Sequence, residues 1–262
     1  MHLFLVLVRH GETVYNAQGR FQGQRDTPLS PTGRDQSRLL ARRLASLWGP
    51  EEPGATWPPL PGLPDVPRRV YTSDLRRAHD TARLLVTAGD DQTAATAAPP
   101  LPAPLVTPLL RERAFGSWEG LTIEEIRARF PHQPGGPPDA EPWEAVWRRM
   151  MRALDQMWRD AAGDAQEAPP RPAAAAAVAL VVGHGGSLRA LVCRALGVGF
   201  EQIRHLRLDN ASLSLVDFAG EDLERSVGRV TLLNDTAHLQ RGAAAAAPAL
   251  VAAAAFEEKT AL

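Results

Sequence analysis

The feature that most constrains this chain is an apolar run that stops on charge: Leu3 to Val8, six apolar residues, leads straight into Arg9-His10-Gly11. A run this short, with two valines, predicts a strand buried on both faces, as in the middle of a parallel sheet. Arg9 and His10 then fall at its C-terminal end, where open α/β sheets bind ligands. Gly11 lets the chain turn sharply and brings backbone amides close to whatever binds. An always-charged arginine can hold a phosphate while the imidazole beside it attacks the phosphorus.

The pattern occurs twice. Ala179 to Val182 reads as a second buried strand, and it ends at Gly183-His184-Gly185-Gly186. If the two strands are parallel neighbours, the two imidazoles meet face to face. A single histidine is more often structural than catalytic, but two in matched strand-end contexts point to a working pair. His2, His79, His205 and His238 lack this context and read as solvated or hydrogen-bonded side chains. His132 lies in a Pro/Gly-rich loop that could cover the site.

Strands and helices alternate along the rest of the chain. Asn16 to Pro28 reads as a polar loop. Ser30 and Pro31 are helix-start residues, and the helix they open is expected to run to about Trp48. Residues 49–67 are rich in Pro and Gly and read as a long surface loop. A strand over Val66–Thr72 follows, then a helix capped by Ser73 with Leu75, Ala78, Ala82 and Leu85 inward. After a second loop at 88–104, Leu105 to Leu110 is apolar and ends at Arg111-Glu112-Arg113. Thr122-Ile123-Glu124-Glu125 is a capping box opening a helix that ends near Phe130. Trp143, Trp147, Met150, Leu154 and Met157 form a stripe that belongs to a core-facing helix. Residues 161–177 read as an Ala/Pro linker, Ser187 as the cap of another helix, and Ser212–Phe218 and Arg229–Asn234 as two final strands. The alternation predicts an α/β fold with a largely parallel sheet flanked by helices. One domain is expected over residues 1–241, followed by an Ala-rich, mobile tail at 242–262.

Composition excludes several classes. The 262 residues carry 29 basic and 30 acidic side chains, a net charge of −1, so nothing calls for nucleic acid or an anionic membrane as partner. The single cysteine, Cys193, rules out an internal disulfide and fits a reducing compartment. The apolar run at 3–8 is too short to span a bilayer and follows no basic leader, so a soluble, cytoplasmic protein is expected.

Four segments together resemble the histidine phosphatase superfamily, the phosphoglycerate-mutase-like proteins. They are Leu7-Val8-Arg9-His10-Gly11-Glu12-Thr13 with Asn16, Ser73-Asp74-Leu75-Arg76-Arg77-Ala78, Leu110-Arg111-Glu112-Arg113 with Phe115 to Gly120, and Gly183 to Ala190. The resemblance implies a three-layer α/β architecture and a phosphohistidine intermediate. It makes His10 the nucleophile and Glu112 the general acid. Arg9, Arg77 and His184 would surround the phosphoryl oxygens, with Asn16 as a neutral donor. Gln22, Gly23 and Gly185 would lie on the substrate side, and Arg113 could hold a second acidic group of the substrate. Periodicity does not separate Arg76 from Arg77; the resemblance selects Arg77. Glu12 and Glu119 compete with Glu112, and the resemblance makes both structural.

His10, His184 and Glu112 could in principle bind zinc, but arginines at the same centre would repel a second cation, so no metal and no cofactor are expected. The expected partner is a small phosphorylated metabolite, and the sequence does not set the oligomeric state. A phosphatase acting on such metabolites is the first reading. A 2,3-bisphosphoglycerate-dependent phosphoglycerate mutase is the second, and a non-catalytic phosphate binder the third. Phe115 to Gly120 resembles the phosphatase branch. Only 71 residues separate Glu112 from His184, and Pro131 to Pro142 contains no Lys or Arg to hold a second phosphate.

Overall fold

Strand β1, His2–Arg9, occupies an interior position in a six-stranded sheet. The structure is a computed structural model that describes residues 1–45, 47–48, 63–87, 100–131, 136–167 and 176–240. A short helix α1, Val14–Ala17, follows β1; Thr13 caps it and Asn16 closes the capping box. Helix α2 is Pro31–Ala45, its first turn held by the Ser30 hydroxyl accepting from Gly33 N. Then come β2 (Arg69–Ser73), α3 (Arg76–Thr87), β3 (Pro104–Thr107) and α4 (Ile123–Arg129). Helix α5 (Trp143–Glu167), β4 (Ala176–Gly183), α6 (Gly185–Ala195), β5 (Leu213–Ala219) and β6 (Val227–Asp235) complete the described order.

The sheet order is β3-β2-β4-β1-β5-β6. The first four are mutually parallel, while β5 runs antiparallel to both β1 and β6. Side chains of β1 alternate between two helical layers, as a strand covered on both faces requires. Leu3, Leu5 and Leu7 pack with Met150, Leu154 and Met157 of α5 and Leu188 and Leu191 of α6. Val6 and Val8 pack with Leu40 and Leu44 of α2 and Ala78 and Ala82 of α3. This is the expected three-layer α/β fold. A smaller cluster of Phe21, Trp118, Ile123 and Ile126 supports the loops above the sheet. None of the helices among the described residues is long and apolar enough to cross a membrane.

Several boundaries differ from expectation for identifiable reasons. The stretch taken as a linker from 161 is largely helix: α5 runs to Glu167 because Ala161 is buried and Asp164 pairs with Arg69 on β2. β4 likewise starts in the alanine run, at Ala176, where pairing with His2 of β1 organises residues without strand propensity. Ser73 is the last residue of β2; its hydroxyl accepts from Leu75 N, a turn that precedes the helix instead of capping it. His184, not Ser187, stands at the N-cap of α6, and Ser187 lies three residues inside. His132, most of the 49–67 and 88–104 loops and the 242–262 tail fall outside the described residues.

Candidate active site

The register of β1 on β4 pairs Arg9 with Gly183, so His10 and His184 emerge one residue beyond the same level of the sheet. His10 N donates to Gly183 O at 3.0 Å and locks that alignment. The ring centroids are 5.1 Å apart with 61° between planes, an edge-on meeting where a face-to-face one was expected. His10 Nδ1 donates to its neighbour's carbonyl, Gly11 O, at 2.7 Å, which leaves Nε2 as the bare, nucleophilic nitrogen. Burial, then the charges of Arg77 and Arg9, hold His10 well below the ordinary imidazole value. His184 is pushed the same way, mainly by burial and Arg77. Both rings are therefore neutral at physiological pH.

His10 opens onto a cleft of about 660 Å³. Arg9 lines it, its Nη1 tied to Leu208 O and its guanidinium lying against Gly185 at the start of α6. Arg77 projects from the first turn of α3 and is 1% exposed. It donates to Gly23 O at 2.7 Å and Arg25 O at 2.8 Å, so it fixes the loop in which Gly23 adopts φ +53°. Burial lowers Arg77 to about 10, which still leaves it a cation at neutral pH. Arg9 Nε, Arg77 Nε and both ring nitrogens of His184 make no hydrogen bond. His184 does not line the cleft; it sits behind His10, fully buried.

Asn16 and Gln22 present their amide groups to the cleft because their oxygens are engaged elsewhere. Asn16 Oδ1 accepts from Thr13 N and Asn210 Nδ2. Gln22 Oε1 accepts from Thr13 Oγ1 and Thr27 Oγ1. Each amide nitrogen is thus directed away from these bonds, and a donor on that side suits an anion.

Glu112 also lines the cleft. Its Oε1 accepts from Arg113 N at 2.8 Å and Ser187 N at 3.2 Å, and its Oε2 from Gly186 N at 2.8 Å. The carboxyl therefore sits on the N-terminus of α6. A Cβ on Gly186 would lie 2.3 Å from Glu112 Oε1, so only glycine admits this approach. Glu12 accepts from Ser30 Oγ, and Glu119 from Gln24 N and Phe115 N; both tie loops together, as expected. No group of three or more His, Cys, Asp or Glu side chains among the described residues has the arrangement of a metal site.

Around the expected Arg113 the structure adds residues that were not expected at the site. Arg113 stacks on Trp143 at 4.8 Å and Phe115 at 5.3 Å, and Arg189 lies over the same indole at 5.9 Å. Trp143, assigned wholly to the core stripe, also lines the cleft, because it is the first residue of α5 and overhangs the end of the sheet. Arg20 and Arg204 line the cleft as well. The available signal for Arg189 was its place one helical turn after Gly185, the first residue of α6, and Arg189 Nε indeed donates to Gly185 O.

Residues 5–52 and 63–227 match the histidine phosphatase superfamily (branch 1). A probable phosphoglycerate mutase GpmB of Yersinia enterocolitica is 31% identical over 246 residues, covering 90% of this chain and 95% of that protein. The structure of the mycobacterial glucosyl-3-phosphoglycerate phosphatase with VO3 is similar at a TM-score of 0.67 and 28% identity, over 89% of this chain and 99% of that one. A structure called mycobacterial hydrolase 1 gives 0.66 at 28% identity, over 88% of this chain and 98% of its own. The chain therefore belongs to the histidine phosphatase superfamily, branch 1.

Proposed function

We propose that this protein hydrolyses phosphomonoesters of small metabolites through a phosphohistidine at His10. The observation that carries the reading is His10 itself: a neutral ring, oriented by the Gly11 carbonyl, on a cleft flanked by Arg9 and Arg77. Nε2 attacks phosphorus as the bond to the substrate oxygen breaks. Arg9, Arg77 and Asn16, which line the cleft, stabilise the charge on the transferring group. Three of the four acceptor positions of the Glu112 carboxyl are used by backbone N–H groups. The fourth, on Oε2, carries the proton to the leaving alkoxide. Water then attacks the phosphohistidine, Oε2 takes its proton, and phosphate leaves. No metal takes part, so activity persists in excess EDTA.

Hydrolysis is favoured over mutase exchange by how the chain between Glu112 and His184 is used. A mutase must exclude water while a bisphosphorylated intermediate turns round. Helix α5 takes 25 residues of this interval into the core, and only residues 130–142 join α4 to α5. Little chain is left for a closing cover. Charge does not exclude a second phosphate, because Arg113, Arg189 and Arg204 supply cations from the cleft wall. Arg113 and Arg189, spaced by Trp143, suit a substrate with a second acidic group.

The test is a quench-flow measurement with a panel of phosphorylated metabolites. The wild type should release phosphate and accumulate an acid-labile, base-stable phosphoenzyme, and His10→Ala should do neither. Efficient interconversion of 3- and 2-phosphoglycerate without phosphate release would establish the mutase reading instead.

A further inference from the structure

The turn between the 3-10 helix Phe200–His205 and β5, residues 208–211, touches Arg9, His10 and Asn16, which would hold a phosphoryl group, although Asn210 and Ala211 do not line the cleft. Leu208 O accepts from Arg9 Nη1 at 2.5 Å. Ala211 N donates to His10 O at 3.1 Å. Asn210 Nδ2 donates to His10 O at 3.1 Å, to Asn16 Oδ1 at 3.2 Å and, more weakly, to Gly11 O at 3.4 Å. Gly11 O is the same carbonyl that accepts from His10 Nδ1.

We propose that Asn210 is a positioning residue that sets the orientation of the Asn16 amide and of the His10–Gly11 backbone at once. A primary amide has two N–H bonds, and here they converge on three oxygens that all belong to the nucleophile's own loop. The contact with Asn16 joins that from Thr13 N in setting which way that amide faces. With Oδ1 committed to Asn210 and Thr13, the Asn16 nitrogen faces the cleft as a donor. Without Asn210, one of the bonds that distinguishes the two ends of the amide is gone, and an oxygen can turn toward the anion.

The turn is built to keep Asn210 in place. Ala211 adopts φ +54°, a left-handed conformation that a residue with a Cβ takes only when its surroundings enforce it. Asp209 is clamped on both sides by one residue of β6: its N–H donates to Asn234 Oδ1 at 2.6 Å, and its Oδ2 accepts from Asn234 Nδ2 at 2.9 Å. Asn234 is itself left-handed, at φ +56°. Two enforced conformations thus hold a side chain that points at the nucleophile's loop from 200 residues away in sequence.

This inference rests on the reading of His10 and Asn16 as phosphoryl-holding groups, and a double-mutant cycle separates the two. The probes are Asn16→Ala, Asn210→Ala and the pair, in the full chain, assayed by phosphate release from the best substrate of the panel. Asn210→Asp serves as the near-isosteric second variant that has no N–H to donate. Either Asn210 substitution should lower kcat on the order of 100-fold, the scale of one lost preorganised donor, with KM changed by less than about threefold. In the Asn16→Ala background the further loss should shrink to below about tenfold, because most of the effect passes through Asn16. Equal losses in both backgrounds, or unchanged kcat in both Asn210 variants while Asn16→Ala is impaired, would overturn the positioning role and leave the site reading intact. An unimpaired Asn16→Ala would overturn both.

Discussion

Glu112 shows how one side chain can be both a structural and a chemical element. Three backbone N–H groups hold its carboxyl against α6, so its position does not depend on substrate. Removing the carboxylate should therefore cost twice, once in the proton it delivers and once in the helix terminus it satisfies. The two effects separate by leaving group. A good leaving group departs as an anion without a proton, whereas an alkyl alcohol does not. Glu112→Gln keeps one acceptor oxygen, enough for Arg113 N and Ser187 N, but cannot donate an acid proton. Its rate on an alkyl phosphomonoester should fall on the order of 100- to 10,000-fold, the range of general acid catalysis. On p-nitrophenyl phosphate the loss in phosphorylation should be less than about tenfold. Parallel losses on both substrates would assign Glu112 a purely structural role.

At the scale of elements, the site is the meeting of two parallel strand ends with the N-termini of α3 and α6. Glycine governs how closely they meet. Gly186→Ala places a methyl 2.3 Å from Glu112 Oε1 and must push the carboxyl away. Alanine is the better helix former by about 1 kcal/mol, so the variant should remain folded with a melting temperature near the wild type. Its kcat on alkyl phosphomonoesters should nevertheless drop toward that of Glu112→Gln. Wild-type kcat in Gly186→Ala would mean that the carboxyl accommodates the methyl at no catalytic cost. The strand ends at His10 and His184 were legible in the sequence because burial on both faces writes itself as an unbroken apolar run. Capping residues such as Thr122 and Glu125 were legible because their bonds span three residues. The end of α5 was not. Residues 161–167 are helical through contacts such as Asp164 with Arg69, and no local pattern encodes a partner 95 positions away. Asn210 and Arg189 escaped for the same reason, since their importance comes from what the fold brings to them.

For the molecule as a whole, the arrangement has a consequence for acid stability. His10, His184 and His238 are 2%, 0% and 0% exposed. Burial is the largest cause that holds each below the ordinary imidazole value of 6.5, and it takes His238 to about 4. The unfolded chain takes up protons on these rings as pH falls past about 6.5, while the native chain does not. The unfolded state then binds more protons, so native stability declines as pH falls below about 6.5 and stops declining only once the native-state values are reached. The sign is that of three groups with lowered values: their effect is absent above pH 6.5 and grows below it. Each full proton of difference is worth about 1.4 kcal/mol per pH unit, so the three together can approach about 4 kcal/mol per unit. Carboxylates held low by ion pairs, such as Asp164, act further down the scale. Urea midpoints measured from pH 7.5 to 5.0 should fall, with protons taken up on unfolding. His238→Asn, which lies outside the cleft, should remove about one of those protons. Because burial, Arg77 and Arg9 hold His10 well below the ordinary imidazole value, kcat of the protein that remains folded should not show a His10 titration near 6.5. Loss of activity in acid should therefore track unfolding. A flat stability profile between pH 7.5 and 5.0 would mean that the three rings accept protons in the native state, and the neutral-nucleophile account of His10 would fail with it.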